Sequence, residues 1–403
     1  LYCVDPPELD IEFSGLARVF EYPGFANILR FAIESAVSKF LVLPRVISVP
    51  IGNESQGVDR TPLRSPPPEG ALRITPLRAN GLKGDDFNLF GGRTSDPYVK
   101  VRLSGDVWRS SSVPKTCDPV WRSDDTHNFL VFDLQQKVMI DVYDEDLLSA
   151  DDLIGRADVI TIQDALKASE AEIQIFDPKN SDRSSSTRSE CGTMQLRFEW
   201  LDIVPSTATL EHCLVSIHVG QVLLPKALGS RVGLRATIDA HEETTPLARR
   251  ITLEENNRKL KRAMDKAIAR AREKGILAEV SEFDEAMNYH FDADHVDVNY
   301  ALYFLIATSL IPTATLELCL VDDNMSTIGK ASVKLASVAF PGAGAPPGGQ
   351  ARGAPLFSFA GPGSQSIDAE VTIDVKGLQF SSRVPSDMPA CSRPSGPPSS
   401  SGK

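Results

Sequence analysis

No stretch of this 403-residue sequence approaches the roughly 20 consecutive apolar residues that a membrane-spanning helix needs. Cysteine is sparse. The six residues Cys3, Cys117, Cys191, Cys213, Cys319 and Cys391 lie far apart with no C-x-x-C spacing, which points away from a disulfide framework or a zinc site and toward a reducing, cytosolic setting. A basic excess is missing as well. The 42 Lys and Arg face 54 Asp and Glu, for a net charge of −12, and a general nucleic-acid binder needs the opposite balance. No glycine loop follows a strand and opens a helix, and no nucleophile, base and orienting group can be assembled, so an enzyme is not expected. His290 and His295, with Asp292, Asp294 and Asp297, fall in a segment that reads as a polar loop rather than a metal site. No signal peptide opens the sequence. Leu9, Ile11 and Phe13 already alternate with Asp10, Glu12 and Ser14, as in a strand, which reads as part of a longer protein.

The negative charge is concentrated. Residues 69–204 carry 16 basic and 24 acidic side chains, while the flanking segments 1–68 and 205–403 are each only two charges negative. Pro and Ser mark the boundaries. Residues 52–68, with three successive prolines, read as a semi-rigid linker. Before it, Phe25, Ile28, Leu29, Ala32, Ile33, Ala36, Val37 and Phe40 recur at helical spacing, and a short strand follows. Within 69–204 the expected strands are 72–74, 98–103, 129–132, 138–143, 157–161 and 194–200, broken by Gly, Asp, Asn, Pro and Ser clusters, a spacing that predicts an antiparallel sandwich. The Ser-rich stretch 180–189 reads as a solvated loop or a phosphorylation switch.

The acids of this segment gather in two stretches. One contains Asp85, Asp86 and Asp96; the other contains Asp144, Glu145, Asp146, Asp151 and Asp152. Four or five carboxylates at one end of a small β-domain repel one another unless a cation neutralises them. Calcium takes six to eight oxygen ligands in flexible geometry, so a calcium site built from loops is the physical expectation. Glu145 and Asp151 read as ordinary solvated neighbours. Lys100 and Arg102 alternate with apolar residues and share one strand face.

The stretches SDPYVKVRL (95–103), KTCDPVW (115–121), VYDEDLLSADDLIG (142–155) and GTMQLRFEWL (192–201) resemble, in order, the strands and loops of a C2 domain. That resemblance implies an eight-stranded antiparallel β-sandwich. It also implies calcium ligands at Asp144, Asp146 and Asp152 in the third loop and at Asp96 in the first, with either Asp85 or Asp86 as the remaining acid. Phe87, Leu89 and Phe90 of the first loop and Leu147 and Leu148 of the third are then candidates for entry into the bilayer interface, or for packing beneath their loops. Lys100 and Arg102, joined by Arg109 and Lys115, form a candidate patch for phosphoinositide or other anionic lipid.

Upstream, PPELDIEFSG, VFEYPGF and FLVLPRVISVPI in residues 1–51 resemble the C-terminal end of an SMP domain, the lipid-carrying module that precedes C2 domains in extended synaptotagmins, tricalbins and plant synaptotagmins. The expected fold is therefore mainly β: a calcium-type C2 domain at 69–204, a degenerate C2-like sandwich at 208–380, and an α/β remnant of an SMP domain. In the second sandwich the expected strands are 215–219, 232–238, 302–308, 315–321 and 369–375. Its stretch ATLELCLVDDNMSTIGKASVKL resembles two strands and the third loop, but the loop is four residues shorter and lacks its later acid, so calcium independence is expected. A helical insertion at about 253–274 is basic, with eight basic and two acidic residues in 258–274, and reads either as a membrane- or calmodulin-binding helix or as a solvated helix packed on its own domain. The loop 341–363, with its low-complexity GAGAPPGG, and the tail 381–403 read as disordered.

The resemblance implies a calcium-dependent phospholipid-binding tether at membrane contact sites. Its partners would be anionic phospholipid membranes, glycerolipid cargo and a second copy bound through the SMP domain. It would act on the cytoplasmic face of the endoplasmic reticulum, opposite the plasma membrane or another organelle. The alternatives are a docking adaptor without lipid transfer, or the C2 targeting region of a lipid-signalling enzyme.

Overall fold

The computed structural model describes residues 3–5, 42–43, 46, 61–83, 86–87, 93–146, 151–177, 189–205, 207, 210–225, 228–252, 294–339, 356–361 and 366–381. The expected helix at 25–40, the insertion at 253–274, most of the Ser-rich stretch and the tail lie outside these residues. The chain divides into two compact units: residues 1–55, 66–205 and 377–403 make the first, and residues 56–65 and 206–376 the second.

The first unit is a sandwich of eight principal strands. In chain order they are β1 (Gly70–Asn80), β2 (Pro97–Leu103), β3 (Asp106–Arg109), β4 (His127–Val131), β5 (Lys137–Asp144), β6 (Asp152–Ala157), β7 (Glu170–Phe176) and β8 (Glu190–Val204). One layer runs β4-β1-β8-β7 and the other β3-β2-β5-β6, all antiparallel, with Ala157 paired to Ile175 where β6 meets β7. Val99, Val101, Ile140 and Val142 project inward from one layer onto Leu72, Ile74, Phe129, Met194, Leu196 and Phe198 of the other, and all ten are buried. The alternation of β2 follows from the two-residue period of a strand: Val99 and Val101 enter the core, while Tyr98, Lys100 and Arg102 take the outer face. Near the chain start, Cys3 bridges Val42 in parallel.

The second unit repeats this plan. Its strands are β9 (His212–Leu223), β10 (Arg231–Ile238), β11 (His241–Thr244), β12 (Ala248–Ile251), β13 (His295–Ala307), β14 (Thr315–Val321), β15 (Thr327–Lys334), β16 (Leu356–Ala360) and β17 (Ser366–Ser381), whose residues beyond 376 belong to the first unit. One layer runs β13-β9-β17-β16 and the other β11-β10-β14-β15, matching the first unit strand for strand. Even the closure is repeated, where β15 meets β16 through Lys330 and Ala360.

Four expectations need correction. The linker contains a one-turn helix, Thr61–Arg64, anchored within the second unit: the Arg64 guanidinium donates to Val298 O at 3.0 Å, Ala301 N–H donates to the Ser65 hydroxyl at 2.7 Å, and the Tyr303 phenol donates to Ser65 O at 3.2 Å. These bonds to β13 hold residues 61–65, a segment with almost no apolar periodicity of its own. The loop read as disordered holds a strand, β16, because Phe359 is fully buried in the second core. His295 and Asp297 open β13 rather than sit in a polar loop, and His295 is buried. Finally, the strand expected at 157–161 is two elements, β6 ending at Ala157 and a short strand Ile160–Thr161.

Candidate metal centre at the loop end of the first unit

Strand register converts distant sequence positions into neighbours. Asp144 ends β5 and pairs with Pro97, the first residue of β2, on one side, and with Asp152, the first residue of β6, on the other. Asp144 and Asp152 thus face each other on adjacent strands, where neighbouring chains lie about 5 Å apart, and Asp96, immediately before Pro97, stands one residue further toward the loops, opposite Glu145. The Asp96 N–H donates to Asp144 Oδ1 at 2.6 Å, the Lys115 N–H donates to Asp96 Oδ1 at 2.6 Å, and the Glu145 N–H donates to Asp96 O at 3.1 Å. Asp144 is almost entirely buried at 2% exposure, Asp96 and Asp146 are half-buried, and Asp152 is exposed. Asp86 and Phe87 form a two-residue strand paired with Arg93–Thr94, which returns the first loop to the stem before Asp96. Asp85, Leu89, Phe90, Leu147 and Leu148 lie outside the described residues.

Among the described residues no three His, Cys, Asp or Glu side chains form a ready metal cage. The donor chemistry still fits a hard, oxygen-seeking dication: Asp96, Asp144, Asp146 and Asp152 offer only carboxylate oxygen. The nearby thiol does not compete, because burial, with Asp118 and Asp144 close by, pushes the Cys117 pKa up and keeps it protonated.

Glu145 and Asp151, expected to be ordinary solvated neighbours, are instead tied to β3. The Arg109 guanidinium pairs with Glu145 through one nitrogen and with Asp151 Oδ2 at 3.7 Å through another, and it lies 3.7 Å over the Tyr98 ring. The Tyr98 phenol donates to Asp151 Oδ2 at 2.7 Å, the Asp146 N–H donates to Asp151 Oδ1 at 3.2 Å, and the Ser112 hydroxyl donates to Glu145. Both carboxyls are held below the usual range: Asp151 first by the Tyr98 phenol, Glu145 first by the Ser112 hydroxyl, with Arg109 adding to each. Desolvation, followed by the bond to Asp151, pushes the Tyr98 phenol up.

On the outer face of the same layer, Tyr98 stacks on Tyr143 with ring centroids 5.5 Å apart, and the Lys100 ammonium lies 5.5 Å over the Tyr143 ring. Arg102 is not a loose surface cation. It donates to Asp141 Oδ2 at 2.7 Å, and Arg156, a residue the sequence did not single out, donates to Asp141 Oδ1 at 2.5 Å. Asp141 is fully buried beneath the two guanidinium groups. The signal for Arg156 was present in the register, since it directly faces Asp141 across β5 and β6. Lys115 is exposed in a turn with φ of 57°.

The equivalent end of the second unit is built differently. Ser110 Oγ accepts from Val99 N–H and donates to Ser111 O, both at 2.9 Å; Thr245 Oγ1 accepts from Leu234 N–H at 2.9 Å and donates to Pro246 O at 3.2 Å. Val142 faces Gly155 and Leu320 faces Gly329, each just before a β-bulge. Counting from these equivalent points, Asp322 stands where Asp144 does, and Arg231 stands where Asp96 does. Asp322 accepts the N–H groups of Asn324 and Ser326, both at 2.9 Å, while Asp323 accepts the Ser230 hydroxyl at 2.7 Å and lies 4.0 Å from Arg231 Nε.

In the family comparison, residues 70–197 match the C2 domain. Extended synaptotagmin-3 of Mus musculus is 29% identical to the chain over 211 residues, covering 52% of this chain and 22% of that protein. Extended synaptotagmin-2 of Homo sapiens is 30% identical over 223 residues, covering 54% and 22%. The matches therefore span about a fifth of the length of these relatives. Among solved structures, one of Extended-Synaptotagmin 2 with its SMP domain and two C2 domains covers 94% of this chain, with 72% of its own chain matched, at 19% identity and a TM-score of 0.49. Among the described residues no helix is long and apolar enough to cross a membrane.

Proposed function

We propose that this chain is part of a calcium-switched membrane tether in which the C2 domain docks on anionic phospholipid and an upstream lipid-carrying module moves glycerolipid between two bilayers. The observation that supports this best is the convergence of Asp96, Asp144 and Asp152 at the loop end of three adjacent strands, with the Asp96 N–H donating to Asp144, beside a strand face carrying Lys100, Arg102, Arg109 and Arg156 and the turn that holds Lys115. Asp96, Asp144, Asp146 and Asp152, with Asp85 or Asp86, would hold the metal. Bound calcium would supply positive charge and open coordination positions for lipid phosphate or carboxylate oxygens. The chain's own part is to hold these carboxylates at the loop end and to present basic side chains next to them. Without the metal the acidic loops repel an anionic surface. Phe87, Leu89, Phe90, Leu147 and Leu148 are the apolar side chains assigned to the bilayer interface, and the cytoplasmic face of endoplasmic reticulum contact sites is the assigned location.

The second unit is assigned a metal-independent role. Arg231 places a fixed cation where the first unit has Asp96, and Asp322 and Asp323 are engaged by their own turn, Ser230 and Arg231.

The test is co-sedimentation of the chain with phosphatidylserine-containing vesicles, with and without calcium, beside Asp144→Asn plus Asp146→Asn. Binding that needs calcium and is lost in the double variant is the expected result. Equal sedimentation under all conditions would sink the proposal.

A further inference from the structure

Arg109 belongs by sequence with the lipid-facing basic residues, yet its contacts point the other way. Its guanidinium sits on the buried Tyr98 ring and reaches two carboxylates, Glu145 and Asp151, that bracket the third acidic loop between β5 and β6. Glu145 directly follows Asp144, and Asp151 directly precedes Asp152, so one side chain ties the two ends of the loop beside the acids assigned to the metal. Further bonds extend this tie. The Asp146 N–H donates to Asp151, Tyr98 donates to the same carboxylate, and Ser112 donates to Glu145. Neither bracketing acid is among the proposed ligands, so Arg109 can hold them without competing for a ligand oxygen.

We propose that Arg109 is a positioning residue for the metal loop: its two-pronged contact with Glu145 and Asp151 fixes the spacing of Asp144, Asp146 and Asp152 before metal arrives. The inference rests on the calcium reading above. The geometry asks for arginine in particular. A guanidinium offers several donors in a rigid planar fork and stacks on an aromatic ring, whereas a lysine ammonium is a point charge that cannot span both carboxylates in the same way. Preorganisation strengthens binding because the ordering cost is met before the ligand arrives.

Arg109→Lys separates this role from simple charge, since it keeps the net charge while removing the fork. If Arg109 acted only as a nearby positive charge, the lysine variant would bind calcium like the parent, and Arg109→Ala would bind it more tightly by removing repulsion. If it positions the loop, both variants weaken calcium binding, the lysine variant by at least about threefold.

The experiment is calorimetric titration of the full chain with calcium chloride alone, paired with amide hydrogen exchange of residues 145–151 in metal-free protein and the thermal unfolding midpoint. The expected result is a dissociation constant at least threefold weaker for Arg109→Lys, with faster exchange at 145–151 before metal is added and an unchanged unfolding midpoint. A smaller change in affinity, tighter binding, unchanged exchange, or a weakening that merely follows a lowered midpoint overturns the positioning role. A parent chain that takes up no calcium overturns the calcium reading itself, a distinct outcome.

Discussion

Ser110 and Thr245 make the same pair of hydrogen bonds in the two units, each capturing the N–H of the residue eleven positions earlier and donating to the carbonyl of its own successor. These hydroxyls mark equivalent positions in the two folds, and by that equivalence Arg231 stands at the position of Asp96. Arg231 in place of Asp96, Asn324 in place of Asp146, and a third loop four residues shorter without its later acid distinguish the electrostatics of two units that share a strand order. Amide hydrogen exchange should show this directly. Calcium is expected to slow exchange around residues 96 and 144–152 while leaving 230–232 and 322–326 unaffected; protection around 322–326 would contradict the metal-independent assignment of the second unit.

Asp141 is the keystone of the outer face. Replacing it with Ala leaves Arg102 and Arg156 without their shared carboxylate, and because both guanidinium groups are partly exposed and can be solvated, the expected cost is about 1–3 kcal/mol. Urea unfolding of Asp141→Ala should show a loss of that order for the first unit. A loss below about 1 kcal/mol would mean that the two guanidinium groups do not depend on it.

Gly155 sits where backbone and core come closest. A Cβ there would lie 2.5 Å from Ile175 Cγ2 and 3.0 Å from Phe176 O, whereas a Cβ at Gly105 meets nothing within 4 Å. Gly155→Ala is therefore expected to cost about 1–3 kcal/mol by overpacking, with Gly105→Ala close to neutral. Thermal melts of the pair decide it, and equal midpoints would contradict the close approach of β6 to β7.

Acid should loosen the third loop at a defined point. Glu145 and Asp151 are held below their unfolded values of about 4, so their contribution is fully present above that pH and is lost as pH falls through the lowered folded values. After correction for the intrinsic pH dependence of amide exchange, protection at 145–151 should stay constant from pH 7 to 5 and fall below about pH 4. Loosening between pH 7 and 5 would contradict the contacts drawn around Arg109.

Much of this arrangement was legible in the sequence, because it rests on short-range signals. The alternation of Tyr98 to Leu103, the acids of 144–152 and Gly155 mark strands and loops within a few residues of themselves. Edge strands were harder to see. Asp106–Arg109 has only Trp108 turned toward the core, and Glu170–Phe176 hides its inward Ala171, Ile173 and Ile175 among polar residues. Side-chain partnerships across long separations were not legible at all. Nothing local tells that Arg109 meets Glu145 and Asp151 rather than a lipid, or that Asp141 is capped by Arg102 and Arg156; register across β2, β3, β5 and β6 decides both. The Thr61–Arg64 turn escaped for the same reason, since its order comes from Val298, Ala301 and Tyr303.

The central claim is that the loop end of the first unit takes up calcium through Asp96, Asp144, Asp146 and Asp152. Calorimetric titration of the metal-free chain with calcium chloride tests it most directly. The account predicts saturable binding that disappears in Asp144→Asn plus Asp146→Asn while the fold is retained; no binding by the parent chain, or undiminished binding by the double variant, would contradict it.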